Sequence, residues 1–148
     1  CDLVTLKIRD IAHGKTIQSR AIIVQKKIGL PVQFELTENT RNSVQTLIAN
    51  FHLSPNDYLF KSRIHSSDHL STRQYGRIVD AWVSMIGLDQ TQYGTHTMRR
   101  TKPSLIYKKT KNLRACQLLL GHRKLESTVR YLGIEVDDAL EISESIDS

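Results

Sequence analysis

The chain has 148 residues, of which 39% are hydrophobic and 24% charged, with 21 Lys and Arg against 15 Asp and Glu for a net charge of +6. That length suffices for one domain with its own core, and the composition excludes a disordered, fibrous or disulfide-stapled chain. There is neither a signal-peptide pattern nor an apolar run near the ~18 residues of a membrane span, and Cys1 and Cys116 make no metal spacing, so a reducing cytoplasm is expected.

In chain order, Cys1 to Leu6 reads as the middle of an element, so the chain is expected to be a fragment of a longer protein. Residues 17–36 read as β. Ala21-Ile22-Ile23-Val24 is short and β-branched, and Val32, Phe34 and Leu36 alternate with polar residues. Between them, Lys26-Lys27-Ile28-Gly29-Leu30-Pro31 offers a glycine for a turn and two lysines at its tip. Leu6 to Ile11 is expected to add a third strand, completing a small antiparallel sheet. The remainder reads as helix. Val44, Leu47, Ile48 and Phe51 repeat at i, i+3, i+4, i+7, with Thr37 as an upstream N-cap. Residues 54–70 are a loop rich in Ser, Asp and His, and its His65 and His69 are read as surface residues. Ser71-Thr72 open the clearest helix, whose stripe of Tyr75, Ile78, Val79, Trp82, Met85 and Ile86 is expected in the core, with Gly87 as its stop. A third helix is expected over Met98 to Lys109, with Pro103 in its first turn or at a kink. Leu113, Cys116 and Leu120 line a fourth that Gly121 closes. A short helical piece carries Tyr131, and Val136, Ala139, Leu140 and Ile146 suggest a last amphipathic helix. The fold class is therefore α+β, mostly helical, with a small antiparallel sheet near the N-terminus, over a single domain of residues 1–148.

Charge is unevenly spread. Residues 135–148 hold six acids and no Lys or Arg, which leaves residues 1–134 with 21 basic and 9 acidic side chains. From Arg99 to Arg130 there are ten Lys and Arg and one acid, Glu126, for a net +9. A basic body with an acidic tail points to nucleic acid as partner of the body.

The candidate chemistry lies inside that basic stretch. Tyr131 follows His122 by nine residues, and His96 and Arg99 are three apart, on one side of a helical start. A phenol flanked by imidazoles and a guanidinium is suited to attack on a phosphodiester. The phenolate is the nucleophile, the arginine grips the non-bridging oxygens as a fork, and the imidazoles move protons or hold oxygens. At pH 7 a tyrosine of ordinary pKa is about 4 kcal/mol short of ionised, a deficit that nearby cations reduce. His96 and His122 have no Asp, Glu or Cys at ligand spacing, so no metal site and no cofactor is expected.

The strings Gly94-Thr95-His96-Thr97-Met98-Arg99-Arg100-Thr101, Leu119-Leu120-Gly121-His122 and Thr128-Val129-Arg130-Tyr131 together resemble the catalytic domain of the tyrosine recombinases, the phage-integrase family. The resemblance implies a site-specific recombinase that cleaves and rejoins double-stranded DNA through a 3′-phosphotyrosine link, releasing a 5′-hydroxyl, with no ATP and no metal. It implies that Tyr131 is the nucleophile, that Arg99 is the second catalytic arginine and His96 the histidine beginning the same motif, and that His122 holds the scissile phosphate. Lys27 resembles the lysine that protonates the leaving 5′-oxygen, with Lys26 its competitor. The family's first catalytic arginine falls just before the segment resembled by Cys1 to Val4, and Arg9 and Arg20 are misplaced to replace it, so the 148-residue chain by itself is expected to be catalytically crippled, with little or no cleavage. The family's N-terminal DNA-binding domain is likewise not in this sequence. Self-association into a synaptic tetramer on DNA through residues 136–146, and a nucleoid-associated cytoplasmic location without membrane contact, are further implications. The rival readings are a non-catalytic DNA-binding relative of the same fold and a type IB topoisomerase-like enzyme. The joint presence of Lys27, His96, Arg99, His122 and Tyr131 disfavours the first, and the Leu-Gly-His spacing with its following tail disfavours the second.

Overall fold

The computed structural model describes residues 2–63, 67–134, 138, 140, 143 and 144. Two compact units follow one another along the chain, Cys1–Thr95 and His96–Ser148.

The first unit begins with a short helix, α1 (Ile8–Ile11), and not with the expected strand. Leu6, Ile8 and Ile11 fit either period in so short a window. What decides is that Ile8 and Ile11, three apart, are both buried, while Asp10 Oδ2 accepts the Lys7 N–H at 2.8 Å and starts a helical turn. A two-residue hairpin follows, β1 (Ala12–His13) against β2 (Thr16–Ile17), antiparallel. The longer hairpin, β3 (Arg20–Val24) and β4 (Pro31–Glu35), is also antiparallel, pairing Arg20 with Glu35 and Val24 with Pro31. The two hairpins are separate two-stranded sheets and do not form one three-stranded sheet. Lys26 and Lys27 stand exposed in the turn between β3 and β4, closed by a Gly29 N–H to Gln25 carbonyl bond of 2.8 Å.

Helix α2 (Glu38–Phe51) starts where the sequence indicates, with the Thr37 hydroxyl accepting the Thr40 N–H. Such a cap contributes about 1 kcal/mol. Val44 is buried in it and Leu47 and Ile48 pack on the core, whereas Phe51, in the last turn, lies out in solvent. The core joins Leu6, Ile8, Ile11, Ile17, Ala21, Leu36, Val44 and Leu59, so one cluster ties α1, both hairpins, α2 and the segment after α2. Ile11 is fully buried there, and truncation of such a side chain to Ala costs about 2–5 kcal/mol.

Helix α3 (Thr72–Met85) is capped by the Ser71 hydroxyl, which accepts from Gln74 N at 3.1 Å. Its buried residues are Val79 and Val83. Trp82 is 50% exposed and Met85 80% exposed, so the expected core stripe is corrected in its second half. Val79 and Val83, four apart, share the buried side of the helix, from which Trp82 and Met85 are turned, while Ile86 falls at the C-cap, past the last helical residue. Gly87 follows with φ +76°.

In the second unit, α4 (Thr95–Thr110) begins earlier than expected and carries Pro103 as its ninth residue, well past the first turn. Proline there cannot donate to the Arg99 carbonyl. Helices α5 (Leu113–Leu120) and α6 (Leu125–Leu132) pack together, and each ends on a glycine in the left-handed region. The buried, unpaired Cys116 thiol donates to the Pro103 carbonyl at 3.5 Å, tying α5 to α4. Among the described residues no helix is long and apolar enough to cross a membrane. The expected tail helix over 136–146 lies largely outside the described residues, as do Cys1 and His65. His69 packs its ring on Tyr58 and its Nδ1 lies 2.8 Å from the Leu70 carbonyl.

Candidate active site

The C-terminus of α5 sets the first side chain of the site. Gly121 has φ +69°, which lets its N–H donate to the Leu118 carbonyl at 3.2 Å and the next N–H, that of His122, to the Gln117 carbonyl at 3.1 Å. This is the double cap that a left-handed glycine permits and a residue with a Cβ strains. Gln117 then holds the same residue a second time. Its buried Nε2 donates to the His122 carbonyl at 3.0 Å and the Arg123 carbonyl at 3.2 Å, and its Oε1 accepts from Arg114 Nη1 at 2.6 Å. Both backbone polar groups of His122 are thus fixed to one side chain and its own carbonyl.

The imidazole reaches from there toward α6. His122 Nδ1 lies 3.0 Å from the hydroxyl of Thr128, which is fully buried. The ring meets Tyr131 edge to face, with centroids 5.3 Å apart and planes at 82°. On its other neighbour, Tyr131 has the Arg100 guanidinium 5.7 Å from its ring centroid.

His96, Arg100, His122, Ser127, Arg130 and Tyr131 line one open cleft of about 480 Å³, all within the second unit. Helical spacing explains the set. His96 and Arg100 are four apart on α4, and Ser127 and Tyr131 are four apart on α6. Three of the expected site residues, His96, His122 and Tyr131, therefore share a cavity. Arg99 is not among its lining residues. Its Nη2 donates to the Leu120 carbonyl at 3.2 Å, which draws it to the end of α5 that carries His122. Its charge acts on both His122 and Tyr131. Lys27 stands on the hairpin turn of the first unit. Arg100, Ser127 and Arg130 are cleft residues that the sequence reading passed over, although the i, i+4 relation of Arg100 to His96 was a signal for the first of them.

Electrostatics divide the two central groups. Burial, and secondarily the Arg99 guanidinium, hold the His122 imidazole below its usual pKa, so it is neutral at pH 7. Burial raises the Tyr131 phenol above its ordinary value, while the Arg99 and Arg100 charges and the approach of the Arg99 N–H groups oppose that rise. The approach falls short of a bond. Tyr131 Oη is buried and has no hydrogen-bond partner among the described residues. A buried hydroxyl without a partner is uncommon and costly, and at a cleft lined with cations it is suited to an incoming oxygen or phosphorus centre. Among the described residues no group of three or more His, Cys, Asp and Glu comes together as a metal site would require.

One helical cleft thus combines a phenol, two imidazoles and two guanidiniums. The chain belongs to the phage integrase family, whose family model matches residues 1–136. It is 28% identical over 144 residues to a probable integrase/recombinase, YoeC, of Bacillus subtilis, covering 92% of this chain and 70% of that protein. It is 35% identical over 133 residues to a tyrosine recombinase of Pseudothermotoga lettingae, covering 90% of this chain but only 44% of that protein. Among solved structures it is similar to the site-specific recombinase XerH bound to its difH substrate, with a TM-score of 0.73 and 23% identity over 98% of this chain and 41% of that one. The α+β fold is that of the recombinases, and the chain spans less than half the length of the second relative and of the XerH chain.

Proposed function

We propose that residues 1–148 are the catalytic domain of a site-specific DNA recombinase that cuts and rejoins duplex DNA. The observation that carries this reading is the buried, unpartnered Tyr131 Oη at a cleft shared with His96, His122, Arg100 and Arg130. The phenolate oxygen attacks phosphorus, the bond from phosphorus to the 5′-oxygen breaks, and that oxygen leaves with a proton as a 5′-hydroxyl. A 5′-hydroxyl from another strand then attacks the phosphotyrosine, restoring the phenol and closing the backbone. Arg99 and His122 stabilise the non-bridging oxygens, and His96 supports the same phosphate. The test is a nicked duplex in which the 5′-fragment is lost after cleavage. A denaturant-resistant protein–DNA adduct through Tyr131, formed by the chain extended to carry an arginine just before Cys1, supports the proposal, and its absence from that longer chain on every duplex of a pooled target library rejects it.

Phosphate contacts dominate affinity in this reading, because residues 99–130 carry a net +9. Measured binding constants are expected to fall linearly in log–log form with salt, by a factor of about 10³ or more between 50 and 200 mM for six or more contacts. A titration with little salt dependence over that range contradicts a phosphate-led interface.

Lys27, on its exposed turn, is the general acid for the leaving 5′-oxygen. Its neighbour Lys26 is engaged through its backbone, whose N–H donates to Asp2 Oδ1 at 3.0 Å. Lys27→Ala is expected to slow cleavage of an ordinary substrate, and a 5′-bridging sulfur, which leaves as a thiolate without a proton, restores most of the loss. Absence of that rescue moves the role to Lys26 or elsewhere. In the same proposal the acidic segment 136–146 docks on another copy of the chain during synapsis, and the protein works at the nucleoid.

A further inference from the structure

Thr128 is the most deeply buried polar residue beside the cleft, with 0% exposure, and its hydroxyl meets His122 Nδ1 at 3.0 Å. Other hydroxyls in helices of this protein return their proton to the carbonyl four residues back, as Ser43, Thr46, Thr101 and Thr110 do. Thr128 has no such bond among the described residues. A buried O–H requires an acceptor, and the lone pair of Nδ1 is the one in reach. The proton of a neutral imidazole must then lie on Nε2, the nitrogen left for the cleft that His122 lines.

We propose that Thr128 is a positioning residue that locks His122 in the neutral, Nε2-protonated tautomer, so that the ring presents a hydrogen-bond donor to a substrate oxygen in the cleft. The lock is mechanical as well as chemical. Gln117 fixes both backbone groups of His122, and the Thr128 hydroxyl fixes its ring, so a single orientation of the imidazole survives. Burial and the Arg99 charge keep the ring from taking a second proton at pH 7, which would otherwise make Nδ1 a donor and break the bond to the hydroxyl. His122 therefore acts by donating and holding, not by accepting a proton from Tyr131. The functional half of this inference rests on the recombinase reading, whereas the tautomer does not.

The test uses the chain with nitrogen-15 histidine and a correlation between ring nitrogens and carbon-bound ring protons at pH 7. The six histidines are told apart by the signals lost in His122→Asn. The unaltered protein is expected to show a protonated Nε2 and an unprotonated, hydrogen-bonded Nδ1 at His122. Thr128→Val, which keeps the side-chain shape and removes the hydroxyl, moves the ring toward a mixture of both tautomers, and Thr128→Ser restores the original signature. On a cleavable duplex, Thr128→Val is slower by roughly fivefold, the worth of one net hydrogen bond, at unchanged DNA affinity, and Thr128→Ser recovers it. A proton found on Nδ1 in the unaltered protein overturns the lock, whether or not Thr128→Val folds. So does an unchanged His122 signature in Thr128→Val. If the tautomer behaves as expected while no duplex is cleaved even by the chain extended to carry an arginine just before Cys1, the lock stands and the recombinase reading fails.

Discussion

Replacing Tyr131 by Phe is expected to abolish the covalent protein–DNA adduct while leaving the protein folded and able to bind DNA. The substitution removes one oxygen, and that oxygen is buried without a hydrogen-bond partner among the described residues. No donor or acceptor is orphaned by its loss, and the protein loses only a group that is costly to bury, so thermal stability is expected to hold or rise. The ring itself stays. Its edge-to-face contact with His122 and its position against Arg100 depend on the aromatic carbons, which Phe retains. Chemistry is affected in the opposite sense, because no other phenol lines the cleft. A gel of denatured complexes on the nicked duplex, beside a binding isotherm and a melting curve, separates the three quantities. An adduct of undiminished yield in Tyr131→Phe removes Tyr131 from the role of nucleophile.

Replacing Arg99 by Ala is expected to lower the single-turnover cleavage rate by at least about 10²–10³, the usual consequence of losing one preorganised donor to a developing oxyanion. A charged, forked donor is worth no less than a neutral one. Its placement supports that size. The guanidinium is held by the Leu120 carbonyl at 3.2 Å, at the helix end that also carries His122, and its charge favours the phenolate of Tyr131. Removing it makes the phenol harder to ionise and removes a phosphate ligand in one step. Arg99→Lys keeps the charge but not the fork, and it is expected to recover only part of the rate. Affinity is expected to fall modestly, with the salt slope smaller by about one. A rate for Arg99→Ala within about tenfold of the unaltered protein excludes the arginine from the transition state, and the cleft-lining Arg100 becomes the candidate.

The helices and their ends were legible locally, because caps and stops act within a few residues of chain. Thr37 and Ser71 open α2 and α3, and Gly121 ends α5, each through bonds to backbone groups three to five positions away. The strands of the longer hairpin and the lysines at its tip follow from alternation and a turn glycine in the same way. Residue chemistry is also local information, so His96, Arg99, His122 and Tyr131 could be named before any contact was known. Contacts between elements are not local. Leu6 to Ile11 satisfies two periods, and only the burial of Ile8 with Ile11 in a core drawn from four other segments makes it a helix.

By itself, then, the sequence determined the helical segments after residue 36, the hairpin, the basic stretch and the identity of the central imidazoles, guanidinium and phenol. Tertiary structure alone decided which face of α3 is buried, since period 3.6 allows a stripe to run through Val83 as readily as through Trp82 and Met85. It alone decided that Arg100, Ser127 and Arg130 line the cleft while Arg99 turns to the Leu120 carbonyl, because adjacent helical residues point about 100° apart and only packing selects between them. The support of His122 by Gln117 and Thr128 belongs there too. A polar side chain in a sequence carries no mark of whether water or a buried partner satisfies it, and that is settled only when α5 and α6 close around the hydroxyl.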